Sequence, residues 1–259
     1  MKKTIQVQLS IMMFLQFFVW GAWFVTMWRY LSKLGFEGTQ IGTAYSTTGW
    51  AAILSPFFVG MVADRFFSTE KVLACLHFFG AILMFWVSTI TDSTLFFWIL
   101  LAYTLCYMPT LALTNSISFE QMTNPEKEFP PIRVLGTIGW IIAGLLVGFM
   151  PKSVSGLDTI EDTNIPMQIA AGSSLVMAIY CLFLPHTPAK SKGQKISIGD
   201  ILGFKALSLL KSRSFAVFTV CSLLICIPLA FYYQSANGFL GEIGVQNPAA
   251  KMTLGQMSE

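Results

Sequence analysis

The amino-acid sequence predicts an all-α protein that crosses a membrane several times. Three observations carry this prediction: a composition that is 54% hydrophobic and 11% charged, seven long apolar segments, and a bias of Lys and Arg toward alternate connections. Ordinary soluble domains contain about 25% charged residues, so this chain lacks the polar residues that a globular surface needs. The composition therefore argues against a soluble enzyme, a disordered chain and a nucleic-acid-binding protein.

Each apolar segment is long enough for a transmembrane helix, because a bilayer core of about 30 Å requires roughly 20 apolar residues. The seven predicted spans are 9–29, 40–62, 72–91, 95–117, 132–150, 167–185 and 215–237. The first span follows two lysines, as in a signal peptide, but it is longer than the apolar core of such a peptide and no small-residue cleavage site follows it. We therefore expect this span to be retained.

The distribution of Lys and Arg predicts a cytoplasmic N-terminus. In that orientation, eleven of the 16 cationic residues fall in cytoplasmic segments, four fall in outer segments, and Arg133 lies inside a span. Cytoplasmic loops of multi-pass membrane proteins carry such an excess of positive charge. We expect the protein to lie in the cell inner (plasma) membrane, in contact with the lipid bilayer.

The chain is predicted to have three parts. Residues 1–189 form a six-helix transmembrane bundle, 190–213 form a basic cytoplasmic linker, and 214–259 begin a second bundle. Two sets of helices joined in this way are typical of transporters built from two halves. We therefore expect the sequence to be the front portion of a longer protein.

The cysteines and histidines give no sign of a metal site or a catalytic centre. All five cysteines lie in apolar stretches without a C-x-x-C pair, and they are interpreted as buried apolar side chains. The two histidines are His77 and His186, and the sequence contains neither H-E-x-x-H nor G-x-S-x-G. A membrane-embedded enzyme is disfavoured, and we expect no metal and no organic cofactor.

Arg133 is the main ionisable residue predicted to lie within a span. A charged side chain there costs about 2.5–3.5 kcal/mol and usually has a function. Arg133, Thr137 and Trp140 are spaced i, i+4, i+7, so a helix presents all three on one face. They offer a guanidinium, a hydroxyl and an aromatic plane to a polar ligand that carries a flat ring. The alternative is that Arg133 anchors the helix by reaching the headgroups.

Span 1 contains a similar pattern. Gln16, Trp20 and Trp23 are also spaced i, i+4, i+7, and an amide among apolar residues needs a polar partner. We predict that Gln16 and Trp20 face a cavity and bind substrate. The alternative for Gln16 is an interhelical hydrogen bond, worth about 0.6 kcal/mol.

Further candidate ligands lie in span 7. Tyr233, Gln234 and Asn237 follow the bend that Pro228 permits, and the two amides are spaced i, i+3. They form a dense patch of aromatic and amide groups. We predict that all three contribute to substrate binding.

Gln256 and Glu259 are spaced i, i+3 in a segment that has the composition of an incipient eighth span. A carboxylate within a membrane can bind and release a proton in a partly dry cavity, as a proton-coupled carrier requires. We predict that Gln256 binds substrate and that Glu259 couples transport to protons. The alternative is that Glu259 lies at a free chain end in solution.

The segment after span 2 carries a charged signature. Gly60-x-x-Ala63-Asp64-Arg65, followed by Lys71, resembles the G-x-L-A-D-R-x-G-R-K motif of the major facilitator superfamily, at its expected position. The sequence departs from that motif at its second glycine, and its basic end is shorter. The resemblance implies a conformational or gating role for Gly60, Asp64, Arg65 and Lys71.

Three stretches carry a more specific resemblance. FLQFFVWGAW (14–23), YMPTLALTNSISF (107–119) and FPPIRVLGTIGW (129–140) resemble the bacterial nucleoside:proton symporters of that superfamily, the nucleoside permease and xanthosine permease group. The similarity extends over essentially the whole chain, including LPHTP (184–188). The chain therefore resembles the N-terminal six-helix bundle of this fold, with the first helix and the start of the second helix of the C-terminal bundle.

The resemblance implies proton-coupled import of a nucleoside by alternating access, through twelve helices with both termini inside, by a protein that we expect to be monomeric. It implies that Arg133, Thr137 and Trp140 contact the nucleoside, and that Gln256 and Glu259 match a glutamine and a coupling glutamate. The family also has a glutamine and an asparagine ligand on helix 7. Tyr233, Gln234 and Asn237 are the candidates for these positions, without a firm assignment. Two alternatives remain: a sugar or polyol symporter of the same fold, and a truncated membrane protein that does not transport.

Overall fold

The computed structural model describes residues 1–65, 67–150, 159–188 and 208–257, and it describes side chains outside 56–66. In these ranges the regular structure is helical, without a strand. The α-helices are α1 (Lys3–Trp23), α2 (Met27–Lys33), α3 (Gly38–Arg65), α4 (Thr69–Val87), α5 (Ser93–Gln121), α6 (Pro125–Phe149), α7 (Ile165–Cys181), α8 (Arg213–Glu242) and α9 (Pro248–Met257). The all-α fold predicted from the sequence is confirmed.

The described helices include five segments that are long and apolar enough to cross a bilayer. They are Lys3–Lys33, which combines α1 and α2, and helices α4, α5, α6 and α8. Helix α7 is apolar but has 17 residues, and α3 has 28 residues. Six of the seven predicted spans thus each overlap a single helix, the first span overlaps α1 and α2, and the protein is a multi-pass membrane protein.

The first predicted span, 9–29, is not one continuous helix. The hydroxyl of Tyr45, on α3, donates to the carbonyl of Phe24 at 2.8 Å and accepts from the backbone N–H of Trp28 at 3.1 Å. These backbone groups would bond each other in a regular helix. A side chain inserted into the hydrogen-bond ladder breaks a helix, so the insertion of Tyr45 separates α1 from α2.

Other helix ends also differ from the predicted bounds. Helix α6 begins at Pro125 rather than at residue 132, because a proline at the first position and two acidic residues in the first turn favour a helix start that an apolar-run test does not detect. Helix α3 extends to Arg65, so residues 60–65 continue a helix instead of forming a loop.

The predicted linker, 190–213, lies mostly outside the described residues. Within them, Ser208–Lys211 form a 3₁₀ turn and α8 begins at Arg213. Preceding the linker, the backbone N–H of Thr69 donates to the carbonyl of Thr187 at 3.0 Å, which ties the LPHTP segment to the start of α4. The predicted domain divisions stay predictions.

The N-terminal bundle has two apolar clusters with a polar layer between them. One cluster surrounds Trp23 and Tyr103, and the other surrounds Leu9 and Met13 near the Met1 end of α1. The polar layer is the hydrogen-bonded set formed by Gln16, His77, Thr110 and Ser174 from α1, α4, α5 and α7. This layer fixes the relative register of four helices.

Candidate functional site

Residues of five helices line a partly open cavity of about 230 Å³. This volume is below the range of about 300–1,000 Å³ typical of pockets for drug-sized ligands, so it suits a small molecule. The lining residues come from α1, α5, α6, α8 and α9, and they are Phe17, Trp20, Leu111, Arg133, Thr137, Trp140, Tyr233 and Gln256. Among these described lining residues, Arg133 carries the formal charge.

Arg133 is held against α1 by an aromatic ring. Its guanidinium carbon lies 4.1 Å from the centroid of the Phe17 ring, a distance at which a cation is attracted to the ring face. The close approach depends on Gly136, because a Cβ there would lie 2.7 Å from Phe17 and 2.8 Å from Nη1 of Arg133. Phe17 and Gly136 therefore fix the position of the guanidinium at the cavity wall.

Trp140 lies in the same wall. It packs on α1 at Gly21, where a Cβ would lie 3.1 Å from the Trp140 backbone. On its other side, its ring centroid is 5.6 Å from that of Tyr233, with an angle of 63° between the planes. This edge-to-face arrangement leaves Trp140 half-buried between the two parts of the chain.

Trp20 forms the α1 side of the cavity. Its ring stacks on the Tyr107 ring, with centroids 5.0 Å apart. The centroid of the Phe24 ring lies 4.5 Å from that of Trp20. Such aromatic pairs each stabilise by about 0.5–1.5 kcal/mol beyond the area that they bury. The indole is thus held in one orientation.

The side of the cavity formed by α8 and α9 is polar. Nε2 of Gln256 lies 3.4 Å from the Tyr233 hydroxyl and donates a long hydrogen bond to it. The phenol and the amide both retain capacity for further hydrogen bonds. Together with Arg133 and Thr137, they surround a space bounded by the rings of Trp20 and Trp140. The arrangement suits a small polar molecule with a flat ring.

Gln16 does not line this cavity, in contrast to our prediction. Its side chain is completely buried, its amide nitrogen donates to Oγ1 of Thr110 at 2.7 Å, and its carbonyl oxygen is 2.9 Å from Nε2 of His77. Since an amide oxygen can only accept, His77 donates this bond. The amide is therefore used within the bundle, as the interhelical alternative proposed.

Gln234 and Asn237 also lie elsewhere. Gln234 lines a groove on α8 with Ile227 and Phe231 rather than the cavity beside Tyr233. Asn237 is buried and donates to Glu161 at 3.0 Å. Gln234 follows Tyr233 by one residue, a rotation of about 100° that turns its side chain away from the cavity. Asn237 shares the Tyr233 side of α8 but lies about one turn further along the helix, beyond the cavity.

The remaining predicted functional residues are only partly described. Glu259 lies outside the described residues, and of Gly60, Asp64 and Arg65 only the backbone is described. Lys71 is exposed in the first turns of α4. The described residues contain no group of three or more His, Cys, Asp or Glu side chains that could hold a metal ion.

Comparison with known proteins decides the family. The sequence model of the family described as "Nucleoside H+ symporter" matches residues 1–259, the whole of the sequence. The chain belongs to this family. The resemblance in the three stretches of α1, α5 and α6 is confirmed.

Individual members of the family are similar over nearly the whole chain. YegT from Escherichia coli K12 is 53% identical over 252 residues, which are 97% of this chain and 59% of YegT. The nucleoside permease NupG of the same organism is 34% identical over 271 residues, covering 99% of this chain and 63% of NupG. The chain therefore spans about 60% of the length of the curated relatives that it matches.

The fold agrees with a solved member of the family. A crystal structure of the nucleoside transporter NupG (D323A mutant) superposes with a TM-score of 0.84 and 33% identity, covering 98% of this chain and 65% of that one. Crystal structures of the peptide transporter POT share the fold more distantly, with a TM-score of 0.53 and 17% identity in one case. The transporter fold that the family resemblance implies is thus confirmed.

Within this family fold, Phe17 and Leu111 line the cavity although the sequence did not indicate them. Phe17 precedes Trp20 by three residues, so both lie on one side of α1. The spacing i, i+3 could have identified Phe17. It is missed because the polar Gln16, one residue earlier, defines the side of α1 that is predicted to face the cavity. Leu111 carries no local signal, since it is one apolar residue among many in α5.

Proposed function

We propose that this chain contributes the cavity of a proton-coupled nucleoside importer that operates by alternating access. The proposal rests mainly on one observation: Arg133, Thr137 and Trp140 line one cavity together with Tyr233 and Gln256 from the second part of the chain. Membership of the nucleoside H+ symporter family supports the nature of the substrate and of the coupling ion.

The cavity provides the interactions that a nucleoside requires. A base has a flat ring that stacks on an indole or a phenol, here Trp20, Trp140 or Tyr233. A ribose carries hydroxyls that pair with a guanidinium, a threonine hydroxyl or an amide, here Arg133, Thr137 or Gln256. A nucleoside is neutral, so it requires no charged partner to balance it. The guanidinium of Arg133 serves it as a hydrogen-bond donor.

Proton coupling is assigned to Glu259. A carboxylate in a partly dry cavity alternates between a charged and a neutral form, and the two forms favour different conformations of the protein. Protonation together with nucleoside binding would favour the occluded state, and release of the proton toward the cytoplasm would release the nucleoside. We further propose an inner-membrane location, a cytoplasmic N-terminus and a monomer.

The proposal is tested by uptake of labelled uridine and adenosine into bacteria that lack their own nucleoside transporters and express the full-length protein. We expect saturable uptake that a protonophore abolishes. Unlabelled nucleosides should compete, whereas sugars and polyols should not. If sugars compete and nucleosides do not, the substrate is a sugar or polyol and not a nucleoside. If uptake is independent of the proton gradient, the proposed coupling to protons is wrong.

Two variants connect the uptake to the cavity. Arg133→Ala should reduce uptake by at least about tenfold, since a hydrogen bond to a charged group contributes about 1.5–3 kcal/mol. Val134→Ala is the matched control, because Val134 is the next residue of α6, its side chain is 54% exposed, and it does not line the cavity. Equal uptake by both variants at equal protein levels would contradict the assignment of the cavity.

A further inference from the structure

Glu161 is a completely buried carboxylate that the transport proposal does not use. It lies in the 3₁₀ turn Ile160–Asp162, immediately before α7. Nη1 of Arg29 lies 3.4 Å from one of its oxygens, and Nδ2 of Asn237 donates to the same oxygen at 3.0 Å. The backbone N–H of Ala249 lies 3.3 Å and 3.2 Å from its two oxygens.

The partners of Glu161 come from both parts of the chain. Arg29 belongs to α2 of the N-terminal bundle, whereas Asn237 lies near the end of α8 and Ala249 in the first turn of α9. Ala249 offers an N–H that has no partner within its own helix, and the start of a helix favours a negative charge. One carboxylate therefore joins the six-helix bundle to the two helices that follow the linker.

We call the contacts of Glu161 with Arg29, Asn237 and Ala249 the Glu161 junction. Because the junction holds a buried carboxylate, the loss of any one partner is costly. Burial raises the pKa of Glu161, whereas the hydrogen bond from Asn237 and the charge of Arg29 oppose that increase. A buried ion that loses one partner is strongly destabilised, because its desolvation is no longer compensated. Separation of α8 and α9 from the bundle must therefore give Glu161 water or another partner.

Close helix contacts surround the junction on the same side of the cavity. Gly238 faces Trp28, and a Cβ there would lie 2.6 Å from the indole. Gly148 of α6 faces Ala250 of α9, where a Cβ would lie 2.6 Å from the alanine Cβ. Next to these contacts lies a second, narrow cleft of about 10 Å³, which Val25 and Thr253 line together with Trp140, Tyr233 and Gln256 of the cavity wall.

The junction and the cavity occupy different levels of the bundle. Glu161 lies at the end of α1 and α2 that is distant from Met1, as do the last turn of α8 and the first turn of α9. Arg133 lies near the beginning of α6, whose first turn binds the amino group of Met1 through Glu128. The Glu161 contacts thus lie beyond the end of the cavity that faces away from Met1.

We propose that Glu161 holds the cavity closed at this end, and that exchange of its partners Arg29, Asn237 and Ala249 is a required step when the cavity opens there. The inference rests on the proposed function, because opening of the cavity is a step of the proposed transport cycle. Its test does not require a nucleoside, so its failure is distinguishable from the failure of the proposed substrate.

The experiment measures access to the narrow cleft. Val25→Cys places a thiol at a position that is 4% exposed and lines the cleft. The full-length protein carrying this reporter is treated with a membrane-impermeant maleimide in whole cells and in inside-out vesicles. Protein without the reporter gives the background from the native cysteines.

Glu161→Ala and the more conservative Glu161→Gln should each increase labelling of the reporter, by about fivefold or more for alanine. The increase should occur only from the membrane face at the Glu161 end, which is the outer face if the N-terminus is cytoplasmic. Asp162→Asn is the matched control. Asp162 pairs with Nε of Arg29 at 2.6 Å within the N-terminal bundle, so its loss should leave labelling unchanged.

Size-exclusion profiles identify the folded fraction in which labelling is compared. Asn237→Ala provides a second way of weakening the junction without altering Glu161, and it should increase labelling in the same direction. Equal labelling of the parent, Glu161→Gln and Asn237→Ala would overturn the proposal. An increase in Asp162→Asn as large as in Glu161→Gln would also overturn it, because general loosening around Arg29 would then explain the access.

Discussion

The indole of Trp140 on α6 contacts the phenol of Tyr233 on α8 edge-to-face, with ring centroids 5.6 Å apart. The two residues are far apart in the sequence and belong to different parts of the chain, yet both line the same cavity. A ligand that inserts between or beside these rings would be sensitive to the separation of the two parts. In the proposed transport cycle, the pair would link nucleoside binding to the change in conformation.

Replacement of Trp140 should weaken nucleoside binding. Base stacking on an aromatic side chain contributes about 1–3 kcal/mol per base when it is removed by alanine substitution. We expect Trp140→Ala to raise the Kd for uridine about 5- to 150-fold, and Trp140→Phe to raise it less. Equilibrium binding of labelled uridine to the purified protein provides the measurement. A Kd that is unchanged by the alanine substitution would show that the indole only packs against Tyr233 and α1.

Arg133 should be sensitive even to a conservative change. Arg133→Lys retains the charge but loses the planar fork and the stacking on Phe17, which lies 4.1 Å from the guanidinium carbon. We expect a loss of affinity of about tenfold, with normal insertion and a normal elution profile. Phe17→Leu, which removes only the ring beneath the guanidinium, should have a smaller effect in the same direction. Full affinity in Arg133→Lys would indicate that charge alone is required.

The Arg133 face was predictable from the sequence because it depends on local geometry alone. Positions i, i+4 and i+7 of a regular helix share a side, and the structure brings Arg133, Thr137 and Trp140 to one cavity. The spans were predictable for a similar reason, since a bilayer requires long apolar runs. The spacing does not predict which ligand these residues would bind, and the nucleoside is proposed from the family.

The misplaced residues depend on tertiary contacts that local patterns do not contain. Gln16 turns inward because His77 and Thr110, from two other helices, bond its amide. The break after Trp23 arises from the hydroxyl of Tyr45 on α3. Glu161 lies in a short connection without periodicity, and its partners come from α2, α8 and α9, so no sequence window could associate them.

Gln16 should affect stability rather than substrate binding. In Gln16→Leu, Nε2 of His77 loses its buried acceptor, whereas the hydroxyl of Thr110 keeps its bond to the carbonyl of Tyr107. An unsatisfied buried polar group costs about 1–3 kcal/mol. We expect a lower midpoint of thermal unfolding in detergent, while the folded fraction binds uridine with a Kd within about threefold of the parent. A large increase in Kd at unchanged stability would restore Gln16 as a ligand.

Gly139 should not tolerate a side chain. A Cβ at this position would overlap the backbone carbonyl of Phe14, where α1 and α6 are in closest contact. The carbonyl is part of a helix and cannot move aside, and overpacking typically costs about 1–3 kcal/mol. Gly139→Ala should therefore lower the thermal midpoint and the yield of monodisperse protein. Gly172→Ala on α7 is the matched control, because nothing lies within 4 Å of its Cβ, and it should match or exceed the parent.

The hydroxyl of Tyr45 should maintain the break between α1 and α2. In Tyr45→Phe, the carbonyl of Phe24 and the N–H of Trp28 both lose a buried hydrogen bond. Either the two groups remain unsatisfied, at a cost of about 1–3 kcal/mol, or they bond each other and α1 continues into α2. Both results should lower the thermal midpoint, because continuation of the helix would displace Arg29 from Glu161. Tyr30→Phe in α2 is the matched control and should have little effect. If the midpoint of Tyr45→Phe equals that of Tyr30→Phe, the inserted hydroxyl does not stabilise the break.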